Sequence, residues 1–177
     1  MLKTTLVAVV ATAGLIASAP LDTKAAPKYI ECPSCTSIEK AALKRFQDRG
    51  IRDKAALATL LGNIKQESLW KPDVCEGGAR TGYHACRRGG FGLIQWTWSS
   101  RYHGLGHHAK RLGLSPNSAE AQLSYIFTER EWRKAEPGFK RPGNSIRGYM
   151  SHAKTWLGWG IEGKRATYAH QYYNKLG

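Results

Sequence analysis

Asp53-Lys-Ala-Ala-Leu-Ala-Thr-Leu-Leu-Gly-Asn-Ile-Lys-Gln-Glu-Ser68 is the most regular passage of the chain. Leu57, Leu60, Leu61 and Ile64 recur at three- and four-residue spacing, which predicts an α-helix with one apolar stripe. Asp53 stands at the N-cap position, and the residue before Pro72 is biased away from helical backbone, so the helix is expected to run to about Trp70. Glu67 lies seven residues after Leu60 and three after Ile64, beside the stripe instead of opposite it. It also occupies the last turn, where the negative end of the helix dipole disfavours a carboxylate. Desolvation and the dipole both push such a carboxyl pKa upward, the condition a general acid near neutral pH requires. The bland alternative is an edge-of-core glutamate that reaches solvent or pairs with one of the many basic residues.

Outward from this helix, the pattern stays helical except in one region. Upstream, Thr36-Ser-Ile-Glu39 is a capping box, followed by Ile38, Ala42 and Phe46 on one stripe and Gly50 as a stop. Downstream, six glycines and two cysteines between residues 71 and 92 predict loops or a small hairpin. Helical signals return over 97–113. They resume behind a cap at Asn117 or Ser118 through Leu123, Ile126, Phe127 and Trp132, and close with a pair over 145–157 and 162–176. The expected fold class is mainly α (α+β), a helical bundle with a small Gly/Cys-rich loop or hairpin at about 71–92. Half of the six tryptophans, Trp132, Trp156 and Trp159, are expected in its core.

At 177 residues the chain has the length of one domain that can bury a sizeable core. Lys3 followed by an apolar run from Leu6 to Ala19 and small residues up to Ala26 reads as a secretory signal and processing region over 1–26. Residues 27–35 are expected to form a linker with a CxxC, and 36–177 a single domain. The run is short for a membrane span, so no stable insertion is expected after cleavage, and the mature protein is expected to be secreted or periplasmic. Export favours structural disulfides for Cys32, Cys35, Cys75 and Cys86. Pairing Cys75 with Cys86 and Cys32 with Cys35 is one of three connectivities; a four-cysteine zinc site and a redox Cys32-Pro-Ser-Cys35 are the competing readings. The 27 Lys+Arg against 13 Asp+Glu, formally +14, call for a polyanionic partner, and export argues against nucleic acid.

Two motifs narrow the class. Gly62-Asn-Ile-Lys-Gln-Glu-Ser68 and, after the glycine-rich region, Gly90-Phe-Gly-Leu-Ile-Gln-Trp96 together resemble the phage tail lysozyme family of the lysozyme-like superfamily. The resemblance extends more loosely through Ala109 to Leu114, Gln122-Leu-Ser-Tyr-Ile126 and the last helix with Tyr172 and Tyr173, covering about 36–175. It implies a peptidoglycan-cleaving domain in which Glu67 is the catalytic glutamate. It further implies that the Gly-Leu-Ile-Gln turn lines the cleft, with Gln95 reaching the sugar or a water.

Cleaving a glycosidic bond takes an acid for the leaving oxygen and a group that stabilises the oxocarbenium ion or activates water. Glu67 fits the first role. Glu76, nine residues on, and Asp73, six residues on, are candidates for the second, against the plainer reading of solvated loop carboxylates. With a single glutamate, the substrate's N-acetyl group or 6-hydroxyl would assist, which shades into lytic transglycosylation. Trp96, Trp98, Tyr83 and Phe91 are expected to stack on sugar rings, with nearby glycines allowing close approach. Ser99 and Ser100 near His103 lack a nucleophile elbow, and His84, His103, His107 and His108 lack an HExxH arrangement, so neither a serine hydrolase nor a metal or other cofactor is expected. The expected function is a secreted monomeric glycosidase, a muramidase or lytic transglycosylase, whose partners are glycan strands and anionic wall polymers. The competing expectation is a non-enzymatic cationic wall- or membrane-binding antibacterial protein.

Overall fold

In the computed structural model, residues 28–87, 89–97 and 100–177 are described. The signal reading over 1–26 and the stacking assigned to Trp98 lie outside the described residues. Helix α2 (Lys54–Ser68) is the axis of the fold. Every residue from Ala56 to Ile64 is buried, so this helix is enclosed on all sides instead of lying on the surface by one stripe. Asp53 caps it as predicted, its Oδ1 accepting from the Ala55 and Ala56 amides at 2.8 and 3.0 Å. The other Asp53 oxygen accepts from the Gly143 amide at 2.9 Å, which ties the loop around Gly143 to the start of the axis.

Around it, α1 (Ser37–Asp48), α6 (Ile146–Leu157) and α7 (Arg165–Lys175) pack on α2 itself, while α5 (Arg130–Lys140) packs on α6 and α3 (Ser100–Arg111) packs with α4 (Ala119–Ile126). The capping box of α1 forms in both directions between Thr36 and Glu39. Gly62 lets α7 approach: a Cβ built there would lie 2.7 Å from the Ala169 Cα, so only glycine permits this crossing. Strands β1 (Gly90–Phe91) and β2 (Trp96–Thr97) pair antiparallel, Phe91 opposite Trp96, and two 3₁₀ turns, Glu76–Gly78 and Tyr83–Ala85, precede them. The fold is mainly α with a small β part, as expected, but the hairpin spans 90–97, reaching past the expected 71–92 region.

Two expectations need correction. The predicted helix from 118 to Trp132 is two helices, because the chain turns at Phe127–Glu129 and Trp132 belongs to α5. Glu129 stands at the N-cap of α5 but caps nothing; its carboxylate is engaged by Trp96 and Arg101 inside the protein. α5 then continues through Pro137 to Lys140. Trp159 is not core: it is half-buried in the α6–α7 loop, whereas Trp70 and Trp96 join Trp132 and Trp156 inside. The cysteines form the expected disulfides, Cys32–Cys35 and Cys75–Cys86, which excludes the competing zinc reading. The first of these is buried against α1, where Gln47 exchanges two hydrogen bonds with the Ile30 backbone at 2.7 and 2.9 Å. Among the described residues no helix is long and apolar enough to cross a membrane.

Candidate active site

The end of α2 builds the site. Beyond Ser68 the chain takes left-handed backbone at two consecutive non-glycine residues, Leu69 (φ 50°) and Trp70 (φ 64°), and so turns back on itself within one step. The conformation is held from both sides. Trp70 Nε1 donates to the Tyr172 hydroxyl at 2.6 Å, and that hydroxyl donates to the buried Glu39 carboxylate. Ser68 Oγ donates to the Leu93 carbonyl at 3.0 Å, which fastens the helix end to the Gly92–Gln95 turn. The two motifs read from sequence are thus joined by a hydrogen bond spanning 25 residues.

Gln122 fixes the same turn from behind. It is fully buried; its Oε1 accepts from the Leu93 amide at 2.8 Å, and its Nε2 donates to the carbonyls of Pro72 and Pro116 at 2.6 and 2.7 Å. Gly92 has φ 74° and abuts the Gln122 amide, so any side chain there would be both strained and blocked. Gln95 also takes left-handed backbone (φ 54°), with Nε2 donating to its own turn at the Gly92 carbonyl, 2.9 Å away. These constraints leave a hollow of about 230 Å³ lined by Gln66, Glu67, Leu69, Lys71, Gly78 and Gln95. The Cys75–Cys86 disulfide closes the loop that forms its glycine wall.

Glu67 opens onto this hollow with its side chain 15% exposed, while Arg165, 6% exposed, donates from Nη2 to its Oε1. Arg165 Nη1 donates to the carbonyls of Ile161 and Glu162 at 3.3 and 2.9 Å, and the guanidinium lies 4.5 Å from the Trp159 ring centroid. Burial raises the Glu67 pKa. The charge and hydrogen bond of Arg165, and the charge of Arg101, pull it back, but burial prevails and the carboxyl stays above its ordinary value. Both sequence alternatives are realised together: Glu67 is desolvated and paired with a basic residue.

Asp73 does not line the hollow; it pairs with Arg80 at 2.5 Å across its own loop. Nor does Glu76, whose Oε2 accepts from the Gly90 amide at 3.1 Å beside Gly89. The stacking assigned to three aromatics is overturned. Trp96 and Phe91 have no exposed surface and Tyr83 has 8%, so none presents a ring face to a sugar. Tyr83 instead stacks on Tyr102, 4.3 Å between centroids, and meets Phe91 edge-on.

Periodicity missed Arg165, Trp159 and the buried cluster of Trp96, Arg101 and Glu129. Trp96 Nε1 donates to Glu129 at 3.0 Å, and Arg101 adds two hydrogen bonds at 2.6 and 3.1 Å. Burial raises the Glu129 pKa against those partners, and Arg101 is the residue whose charge also reaches Glu67. The only sequence signal for this cluster is a glutamate directly before the helix carrying Trp132.

A carboxyl whose pKa is raised by burial at the end of a central helix, facing a hollow bounded by a disulfide loop and a Gly-x-Gly-Leu-x-Gln turn, defines a lysozyme-like domain. Comparison with protein families narrows this: the phage tail lysozyme family matches residues 37–176, and the chain belongs to that family. No curated protein matches it. Family membership makes it a lysozyme-type, peptidoglycan-lytic protein.

Proposed function

We propose that the protein cleaves the N-acetylmuramic acid/N-acetylglucosamine strand of peptidoglycan with Glu67 as general acid. The observation that carries this reading is a carboxyl with its pKa raised by burial that still opens onto the hollow. The proton of Glu67 passes to the glycosidic oxygen as the bond to C1 breaks, and positive charge develops on the ring. To Gln95, which lines the same hollow, we assign the holding of the sugar or an attacking water. Among the described residues lining the hollow Glu67 is the only carboxylate, which supports assistance from the substrate's own N-acetyl group or 6-hydroxyl. Glu76 would have to release the Gly90 amide to act there, and we assign it to holding the loop. Two disulfides support an oxidising compartment, outside the cell or in the periplasm.

The test is mass spectrometry of fragments released from purified peptidoglycan, with Glu67→Gln in parallel. Reducing disaccharide ends from the wild type, absent with the variant, establish a hydrolase. 1,6-Anhydro ends, likewise absent with the variant, establish a lytic transglycosylase. Peptide cuts on an intact glycan, or undiminished cleavage by the variant, overturn the assignment. Bacterial killing that survives Glu67→Gln without any released fragment supports the cationic binding protein instead.

A further inference from the structure

Arg165 is the most constrained polar side chain near Glu67, and neither the sequence motifs nor family membership gives it a role. It lies 98 residues away, in the first turn of α7, which Gly62 and Ala169 hold directly against α2. Its guanidinium is fixed on three sides: Nη1 on two loop carbonyls, the planar face on Trp159, and Nη2 on Glu67 Oε1. The Gln66 side chain accepts from the Lys164 amide at 2.9 Å, so the residue preceding Glu67 holds the residue preceding Arg165. Nε is buried and unpartnered among the described residues. The Nε/Nη2 edge is the one that would grip both oxygens of a carboxylate in a fork, yet here only Nη2 is used. The pair is therefore one-pointed, and among the described residues only Oε1 is engaged.

We propose that Arg165 is the positioning residue of the cleavage reaction: it engages Oε1 of Glu67 and leaves Oε2 to carry the transferable proton. It also pairs with the carboxylate that remains once the proton has gone. The inference rests on the assignment of Glu67 as general acid. In the acid form Oε1 is the carbonyl oxygen, the better acceptor for Nη2, so the hydroxyl is at Oε2. When that O–H bond breaks, the proton goes to the glycosidic oxygen, the C1–O bond breaks to give the leaving hydroxyl, and the electron pair stays on the Glu67 carboxylate. An unpaired carboxylate in this buried place would oppose the step; a guanidinium already in contact stabilises it without reorganisation. Attack by water or the 6-hydroxyl then returns one proton to Glu67 and closes the cycle. The charged groups facing Glu67 are Arg165 from α7, Arg101 from α3 and Lys71 from the following loop.

Arg165→Gln and Arg165→Lys, with Glu67→Gln beside them, are assayed for kcat and KM against pH on solubilised glycan strands. For Arg165→Gln the expected plateau kcat falls about 10- to 100-fold with KM changed less than about threefold. Because Arg165 favours the anion of Glu67, its loss moves the alkaline limb of the profile to higher pH. Arg165→Lys keeps that limb near its wild-type position but loses kcat, because an ammonium cannot hold Oε1 and both loop carbonyls together. An unmoved limb with wild-type kcat in Arg165→Gln overturns the proposal. If Arg165→Gln does not fold, guanidinium ¹⁵N–¹H spectra of the wild type decide it. An Arg165 Nη2 signal that moves with the midpoint of the alkaline limb supports the role, and a signal indifferent to that titration removes it. Turnover retained by Glu67→Gln would instead refute the general-acid assignment, whatever Arg165 does.

Discussion

Glu67 was legible because helical periodicity fixes the face of a residue from its nearest neighbours in sequence. Its partner was not, because 98 residues separate it from Arg165 and no local pattern in residues 158–165 points across that gap. The raised pKa has a consequence for stability. Since the native value exceeds the unfolded one, about 4.3 for a glutamate, the native state favours the protonated form. That contribution is complete below the unfolded value and is lost as pH rises through the native one. Glu67→Gln, which never ionises, is therefore expected to melt about 2–4 °C above wild type at pH 7 and to converge with it below pH 4. Calorimetry at the two pH values checks this, and a variant less stable than wild type at pH 7 contradicts it.

At the level of elements, the decisive contact is α2 against α7. Gly62 read in sequence as one letter of a motif; its structural function is to admit the Ala169 backbone. Gly62→Ala is expected to push α7 outward and cost about 1–3 kcal/mol in urea unfolding. It should also lower activity more than an equally destabilising change far from the hollow, such as Leu43→Ala in α1, because Arg165 moves with α7. Equal losses of activity at equal stability would mean that the α2–α7 crossing matters for stability alone. Helices with clean caps, α1 at Thr36 and α2 at Asp53, were readable from their ends inward. The division between α4 and α5 was not, because the residue that breaks the helix, Glu129, does so through a buried pair with Arg101 and Trp96 from other elements.

For the whole molecule, composition speaks most directly. Lys and Arg exceed Asp and Glu by more than two to one, and runs such as Lys110-Arg111 and Lys140-Arg141 are spread along the chain. Such a field draws the protein toward anionic walls and is screened beyond about 8–10 Å at physiological salt. Binding to intact cell walls is expected to weaken steeply between 50 and 500 mM salt, roughly tenfold or more. Cleavage of neutral chito-oligomers should change less than about twofold. Sedimentation binding and oligomer turnover over the same salt series decide it; equal sensitivity of both removes electrostatic steering.

Sequence alone determined what depends on near neighbours and on bulk composition: the mainly helical class with a small β part, the caps of α1 and α2, the basic composition, and a glutamate on the wrong face for a simple surface helix. Tertiary structure decided what depends on distant residues meeting. It buried Tyr83, Phe91 and Trp96, where aromatic rings beside glycines had suggested a sugar-binding face. It kept Asp73 and Glu76 for loop contacts, and it brought Arg165 onto Glu67. Burial and pairing are properties of the closed core, and a pattern along the chain carries only the half of each contact that lies within its own helix.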